Sequence, residues 1–295
     1  MRAMRVLITG GQGQLGRDLR LVLAEDEVHS TDLPELDVTD FSPVLDAVTS
    51  FQPEVVIHAA ALTDTTRCEN EPDLAYATNA LGARNVAVAC GQAGAAMLYI
   101  STNEVFDGAQ REPYLEFDQP NPLNIYARSK LAGERYVQTL LPRHYIVRTA
   151  WLYGLGGTHF PAKILSAAQE RSELTVVSDE IATPTWTHDL AQAIAQLIRQ
   201  PLYGVYHFTN AGACSRFEWA REVLRLAGRP DVRLRPVTTA EYRRTGGAGP
   251  RKPPYSVLRN FAGAVSLGIE LRPWQEALRD YSSRQQQEET AGARS

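Results

Sequence analysis

Tyr126 and Lys130 stand four residues apart in Tyr126-Ala127-Arg128-Ser129-Lys130, a spacing that stacks a phenol and an ammonium on one face of a helix. An ammonium so placed favours phenolate over phenol, so the tyrosine pKa is expected to fall from about 10 toward working pH and make a proton donor. The chain has only three lysines, Lys130, Lys163 and Lys252, against 12 tyrosines, so composition alone also produces such a pair on an amphipathic helix. Its meaning depends on its company. Thr102 closes the apolar run Met97-Leu98-Tyr99-Ile100-Ser101, at the carboxyl end of an expected strand, where open parallel sheets carry their ligands. A threonine hydroxyl there suits a carbonyl oxygen.

The elements that must position these groups begin at Arg5-Val6-Leu7-Ile8-Thr9, an apolar run followed at once by Gly10-Gly11-Gln12-Gly13-Gln14-Leu15-Gly16 and a helical pattern to Ala24. Strand, glycine turn and helix in that order bind dinucleotides. The glycines turn the backbone, let it approach a pyrophosphate and seat the helix on the strand, so Gly10, Gly13, Gln14, Leu15 and Gly16 are candidate cofactor contacts. Asp32, about twenty residues on at the end of a second strand (Val28 to Thr31), is placed to accept hydrogen bonds from an adenosine ribose and to repel a 2′-phosphate, which mildly favours NADH over NADPH. Arg17 or Arg20 could reverse that preference. Asp37-Val38-Thr39-Asp40 opens the next helix, with Thr39 or Asp40 as N-cap and Asp37 and Val38 toward adenine. The buried strand Glu54 to His58 runs into Ala59-Ala60-Ala61, small residues that suit a backbone passing beneath a cofactor, while His58 reads as structural. A long helix from Pro72 to Ala93 contains Asn79, whose amide needs a partner or a relay role.

A polar loop, Gln110 to Asn124, leads into the Tyr126 helix, and His144 to Ala150 forms another strand. Regular alternation of strand and helix calls for an α/β, Rossmann-like doubly wound parallel sheet. Near residue 152 the texture changes. A helix from about His159 to Arg171, a strand Leu174 to Val177, a helix from Trp186 with Leu190, Ile194, Leu197 and Ile198 on one face, a strand Val205 to Phe208 and a helix Arg216 to Leu226 follow, then an arginine-rich proline-glycine segment from Arg229 to Lys252. The expected division is a cofactor domain of residues 1–152 plus about 187–208, a smaller discontinuous lobe of about 153–186 plus 209–281, and a flexible polar tail, 282–295.

Bulk composition narrows the function classes. Among 295 residues, 44% are hydrophobic and 22% charged, with a net charge of −4, so nothing advertises nucleic acid as a partner. Three scattered cysteines, Cys68, Cys90 and Cys214, have no metal-ligand spacing and suit a reducing, cytoplasmic setting. The first residues run straight into a strand pattern without an apolar h-region, and no apolar run approaches 18 residues, so neither secretion nor membrane spanning is expected, and no metal site is expected. Asp18 and Asp189 could sit at a metal-bridged dimer contact, but two scattered carboxylates are more often solvated surface, so monomer and homodimer both stay open.

Together, Thr102, Tyr126, Lys130 and the glycine turn belong at one edge of such a sheet and make a carbonyl-reduction site. Nicotinamide supplies hydride, Tyr126 the proton, Thr102 holds the oxygen, and Lys130 grips the nicotinamide ribose. At this point the chain resembles the extended short-chain dehydrogenase/reductases, and more closely the dTDP-4-dehydrorhamnose reductase family. The likeness lies in Ile8 to Gly16, His58 to Ala61, Ser101-Thr102, Val105-Phe106-Asp107-Gly108, Tyr126 to Gly133, Arg148 to Gly154, Ala182-Thr183-Pro184-Thr185 and Pro253 to Leu258. The resemblance implies NADPH or NADH as cofactor and reduction of the 4-keto group of dTDP-4-dehydro-6-deoxy-L-mannose to dTDP-L-rhamnose, a step of carbohydrate biosynthesis. It makes Trp151, Thr185 and Ser256 candidate substrate contacts, to which Thr63, Thr102, Asn103, Glu104 and Lys252 are added.

Two departures stand out. Where the family commonly has Asp-Tyr after the threonine this chain has Asn103-Glu104, and where it often has Arg before the Pro-x-x-Ser segment this chain has Lys252, a point charge instead of a bidentate fork. Arg243, Arg244 or Arg251 are candidates to compensate. A 4,6-dehydratase is discounted because Asn103 cannot protonate a leaving hydroxyl. A 4-epimerase, using the same Thr, Tyr and Lys, and a non-catalytic NAD(P)-binding regulatory subunit remain as alternatives.

Overall fold

The computed structural model describes residues 2–292. Six strands, all parallel, form one sheet, in the order Gly204–His207, His144–Thr149, Ala96–Thr102, Val55–His58, Arg5–Thr9, Glu27–Thr31. Strand register brings Thr9 beside His58 and Thr102 beside Thr149, so the carboxyl ends line up along one edge. Chain direction across the sheet reverses at Arg5–Thr9, and there a crevice opens.

Period two along each strand sends alternate side chains to opposite faces, and both faces are covered. Val6, Ile8 and Ile57 pack against Leu19 of the Gln14–Val22 helix and Leu190, Ile194 and Leu197 of the Thr187–Leu197 helix. Leu7, Val56 and Met97 face Val44, Val86 and Val137 from helices Phe41–Phe51, Gly82–Ala93 and Ile125–Leu140. The helix after Trp186 thus returns to the sheet, as its apolar spacing predicted. A separate core of Tyr153, Ile164, Trp219, Val223 and Leu278 organises the smaller lobe around helices Phe160–Glu170 and Arg216–Leu226.

Four expectations change. The Pro72–Ala93 helix is interrupted by a π turn, Ala77–Leu81, that carries Asn79. The arginine-rich segment is not all loop: Arg233–Val237 pairs in parallel with Glu173–Val177, and Thr238 caps a short helix, Thr239–Arg244, through a reciprocal box with Glu241. Within the stretch 209–281 assigned to the lobe, Ile269 and Leu271 instead join the core beneath the sheet. Finally, the polar tail is helical as far as it is described. The helix Trp274–Gly292 buries Trp274, Ala277, Leu278 and Tyr281 at i, i+3, i+4 and i+7, and the Arg284 guanidinium lies 4.9 Å from the Trp186 ring centroid. Those anchors let the polar helix formers beyond them propagate; the last expected tail residues, 293–295, lie outside the described residues. No helix among the described residues is long and apolar enough to cross a membrane, and the three cysteines are free and buried.

One buried ion pair ties the Tyr126 helix to the sheet. Arg148 Nε and Nη2 donate to the two oxygens of Glu134 at 2.9 and 2.7 Å, and Ser101 Oγ donates to the same carboxylate at 2.5 Å. Exposures of 5% and 1% for the two side chains mean that either one alone would be an uncompensated buried charge. Arg148→Met is therefore expected to cost about 3–5 kcal/mol of unfolding free energy, read by urea denaturation, and a loss below about 1 kcal/mol would contradict this account.

Candidate active site

The crevice at the carboxyl edge is a cleft of about 900 Å³, and most of the residues singled out from the sequence line it. Gly10, Gly13, Gln14, Leu15 and Gly16 form one end, with Asp32, Asp37 and Val38 beyond them and Ala59, Ala60, Ala61 and Thr63 along the floor. Thr102, Asn103, Glu104, Tyr126, Lys130, Trp151 and Lys252 form the other end. Asn79, Thr185 and Ser256 do not reach it.

The glycine turn is built as its sequence demands. Gly10 has φ of 76°, and a Cβ there would come within 2.5 Å of Ala60 N, while one on Gly16 would meet Gly10 O at 2.4 Å. Gly13 caps the following helix without a side-chain bond, so the first-turn N–H groups are left to meet an anion. Two orphaned polar atoms, Gln14 Oε1 and Thr149 Oγ1, sit on residues of the same cleft. These features fit a dinucleotide. At the far rim, Asp32 accepts from Gln12 N and Leu33 N, both at 2.8 Å, and Asp37 from the Thr39 backbone at 2.9 Å; Asp40, not Thr39, caps the next helix.

At the reactive end, Asn124 caps the helix that carries Tyr126, accepting from Ala127 N at 2.8 Å. The Thr102 hydroxyl, beside the phenol in the same cleft, donates to Asn103 Oδ1 at 3.3 Å and accepts from Glu104 N at 3.1 Å. Lys130 is on the same helix face, but its ammonium lies 4.1 Å from the Tyr99 ring centroid. The expected acidification of Tyr126 does not occur. Burial raises its pKa, Glu104 adds to the rise, and only the Thr102 hydroxyl opposes it. Burial also lowers Lys130 to about 7, with Glu134 pulling the other way, and the lysine is not among the groups that lower Tyr126. Tyr126 is therefore a neutral phenol with its proton in place.

Behind this wall the remaining polar groups are spoken for. Asn79, in its π turn, accepts from Leu62 N at 2.8 Å and donates to Leu62 O and Ser129 Oγ, which fixes the floor segment rather than touching the cleft. His58 is fully buried, bonded to Thr9 Oγ1 at 2.7 Å and lowered to about 3 by burial and then Lys130, in line with its structural reading. Thr185 is fully buried in a short strand beside Leu152, and the Ser256 hydroxyl is taken by Asn103 Nδ2 at 2.7 Å. Neither is a cleft contact.

The two sequence departures meet each other. Lys252 Nζ lies 2.6 Å from Glu104 Oε1, and Glu104 Oε2 accepts from Asn124 Nδ2 at 2.8 Å. Asn103, Glu104 and Asn124 thereby lash the 251–256 segment to the catalytic loop, with Asn124 Nδ2 also reaching Arg251 O at 3.0 Å. Arg243 and Arg244 stay on an exposed helix, where Arg243 donates to Pro250 O, and neither they nor Arg251 lines the cleft. Sequence reasoning missed Gln12, Arg67, Thr149, His159 and Arg216, which do line it. Thr149 could have been found, since it ends a strand beside Thr102. Arg216 follows the helix cap Ser215 in no recognisable motif. Asp18 and Asp189 are not solvated surface: both are buried, Thr187 Oγ1 donates to Asp18 at 2.5 Å, and Arg272 and Asn210 hold Asp189 inside the fold.

Comparison with known proteins gives the family and the fold. The family model for the RmlD substrate binding domain matches residues 4–287. A dTDP-4-dehydrorhamnose reductase of Streptomyces griseus is 40% identical over 93% of this chain and 91% of its own length. A crystal structure of a dTDP-4-dehydrorhamnose reductase from Clostridium acetobutylicum superposes with a TM-score of 0.92 at 42% identity, covering 96% of this chain and all of that one. Another, from Bacillus anthracis in complex with NADP, gives 0.91 at 41% identity over 95% and 99% of the two chains. With a match over nearly its whole length, a cleft built for a dinucleotide and a Thr-Tyr-Lys group beside it, the chain belongs to the RmlD substrate binding domain family.

Proposed function

We propose that this protein reduces the 4-keto group of dTDP-4-dehydro-6-deoxy-L-mannose to the alcohol of dTDP-L-rhamnose, with NADPH or NADH as reductant. The observation that carries the reading is the placement of Thr102, Tyr126 and Lys130 in one cleft with the glycine turn. The nicotinamide supplies the hydride when bound. Thr102 holds the carbonyl oxygen as charge develops on it, and the Tyr126 hydroxyl hands that oxygen its proton. An alkoxide is far more basic than a phenolate, so a phenol of raised pKa still gives up its proton downhill. Lys130, over the Tyr99 face, is within the same wall to hold the ribose.

Redox stoichiometry separates this reading from epimerisation. Purified protein with the 4-keto sugar should consume one NAD(P)H per product, and catalytic use of cofactor would replace the reductase reading with an epimerase. Tyr126→Phe should retain cofactor binding and lose about 10²- to 10⁴-fold in turnover, as expected for a removed general acid. Unchanged turnover would reject the assignment.

Asp32 lines the cleft beyond the glycine turn, and a carboxylate against the adenosine ribose would repel a 2′-phosphate. Asp32→Ala should raise the NADPH-to-NADH ratio of kcat/KM by about tenfold, the effect of relieving one like-charge contact. Stability should also depend on pH. The folded pKa of Lys130, about 7, lies below its unfolded value of 10.5, so between those pH values the unfolded chain binds more protons than the folded one. Stability contributed by this group therefore rises with pH across that window and is at its poorest below it. Thermal melts of the cofactor-free protein should show a shallower rise from pH 7 to 10 in Lys130→Met than in the parent; parallel curves would place the lysine in water.

A further inference from the structure

Four cationic side chains among the described residues line the cleft: Arg67, Lys130, Arg216 and Lys252. Three are already engaged. Arg67 forms a two-pronged pair with Glu71 at 3.0 and 3.3 Å, and Lys252 is 2.6 Å from Glu104. Lys130 rests against Tyr99 beside the proposed proton donor. Arg216 differs: its nearest carboxylate, Glu180, is 4.0 Å away, the outer limit of an ion pair, and its guanidinium makes no hydrogen bond to a described residue.

The surroundings hold that guanidinium flat and leave its donors free. Its carbon lies 3.6 Å from the Trp151 ring centroid, 5.0 Å from Phe160 and 5.6 Å from Trp219, and Trp151 stacks on Trp219 with centroids 5.5 Å apart. Trp151 takes a left-handed backbone conformation, φ 44°, costly for a bulky residue and typical of a site that over-determines it. An aromatic shelf contributes a cation–π attraction but no hydrogen-bond acceptor for the five N–H groups. Burial lowers the Arg216 pKa to about 10, Glu180 only partly offsetting it, so the charge sits in the cleft under-compensated. A planar, unspent fork in that position is the complement of a phosphate oxyanion pair, which it can grip bidentately.

We propose that Arg216, held on the Trp151 ring, is the residue that receives the diphosphate of the nucleotide-sugar substrate, and that Lys252 instead serves as an internal partner of Glu104. This rests on the nucleotide-sugar reading above. It also gives Lys252 a part of its own: that ammonium ties the 251–256 segment to the loop after Thr102, while a guanidinium on another element is left for phosphate.

Isothermal titration of the full chain with dTDP, and separately with NADH, tests the assignment. Arg216→Met should weaken dTDP binding at least thirtyfold and leave NADH binding within threefold, while Lys252→Met should weaken dTDP by less than fivefold. Arg216→Lys, which keeps the charge but not the fork, should fall between, and decides the matter if the methionine variant does not fold. Parent-like dTDP affinity in the arginine variants, or the large loss appearing in Lys252→Met, would overturn the proposal while leaving the nucleotide-sugar reading intact. A parent protein that binds NADH but none of dTDP, UDP and GDP would overturn both.

Discussion

The carboxylate of Glu134, buried and clasped by Arg148 and Ser101, is the interaction on which the reactive end of this molecule depends. It joins the helix bearing Tyr126 to the two neighbouring strands that end in Thr102 and Thr149, so the phenol and the hydroxyl beside it cannot drift apart. Four residues before Glu134 on the same helix lies Lys130, whose charge the carboxylate supports against burial. Such a pair is a poor source of net stability, because desolvation consumes most of its Coulomb energy, but breaking it is costly, and that asymmetry makes it a good clamp.

Burial then sets the chemistry. A low-dielectric wall disfavours every charged form, which keeps Tyr126 protonated, brings Lys130 close to neutrality and leaves His58 uncharged. In the proposed reaction the proton donor would act without first being made a strong acid. Its driving force comes from the basicity of the oxygen produced, so the protein need only hold geometry and exclude competing water.

The same economy of charge runs through the substrate end. Glu104 and Lys252 neutralise each other across two distant parts of the chain and, with Asn103, Ser256 and Asn124, stitch the 251–256 segment to the sheet edge. Arg216, on an aromatic shelf with only a distant carboxylate, keeps its donors for a ligand. Which cation is structural and which is available follows from its acceptors and not from its residue type.

Local chemistry made much of this visible in the chain alone. A glycine turn after an apolar strand, alternating strand and helix patterns, and a Tyr-x-x-x-Lys after a strand-end threonine are local signals, and the parallel sheet, its crevice and the reactive trio follow from them because periodicity decides which face is buried. Other properties come from groups far apart in sequence. The Glu104–Lys252 contact joins residues 148 positions apart, the proton affinity of Tyr126 depends on how deeply the fold buries it, and the helix beyond Tyr281 persists because Trp274, Ala277 and Leu278 dock in the lobe core. The sequence by itself determined the fold class and the order of the elements that bring Thr102, Tyr126 and Lys130 to one edge, since propensity and spacing are written into neighbouring residues. Only the tertiary structure decided charge states and which cations remain free, because desolvation and ion pairing are properties of neighbours in space.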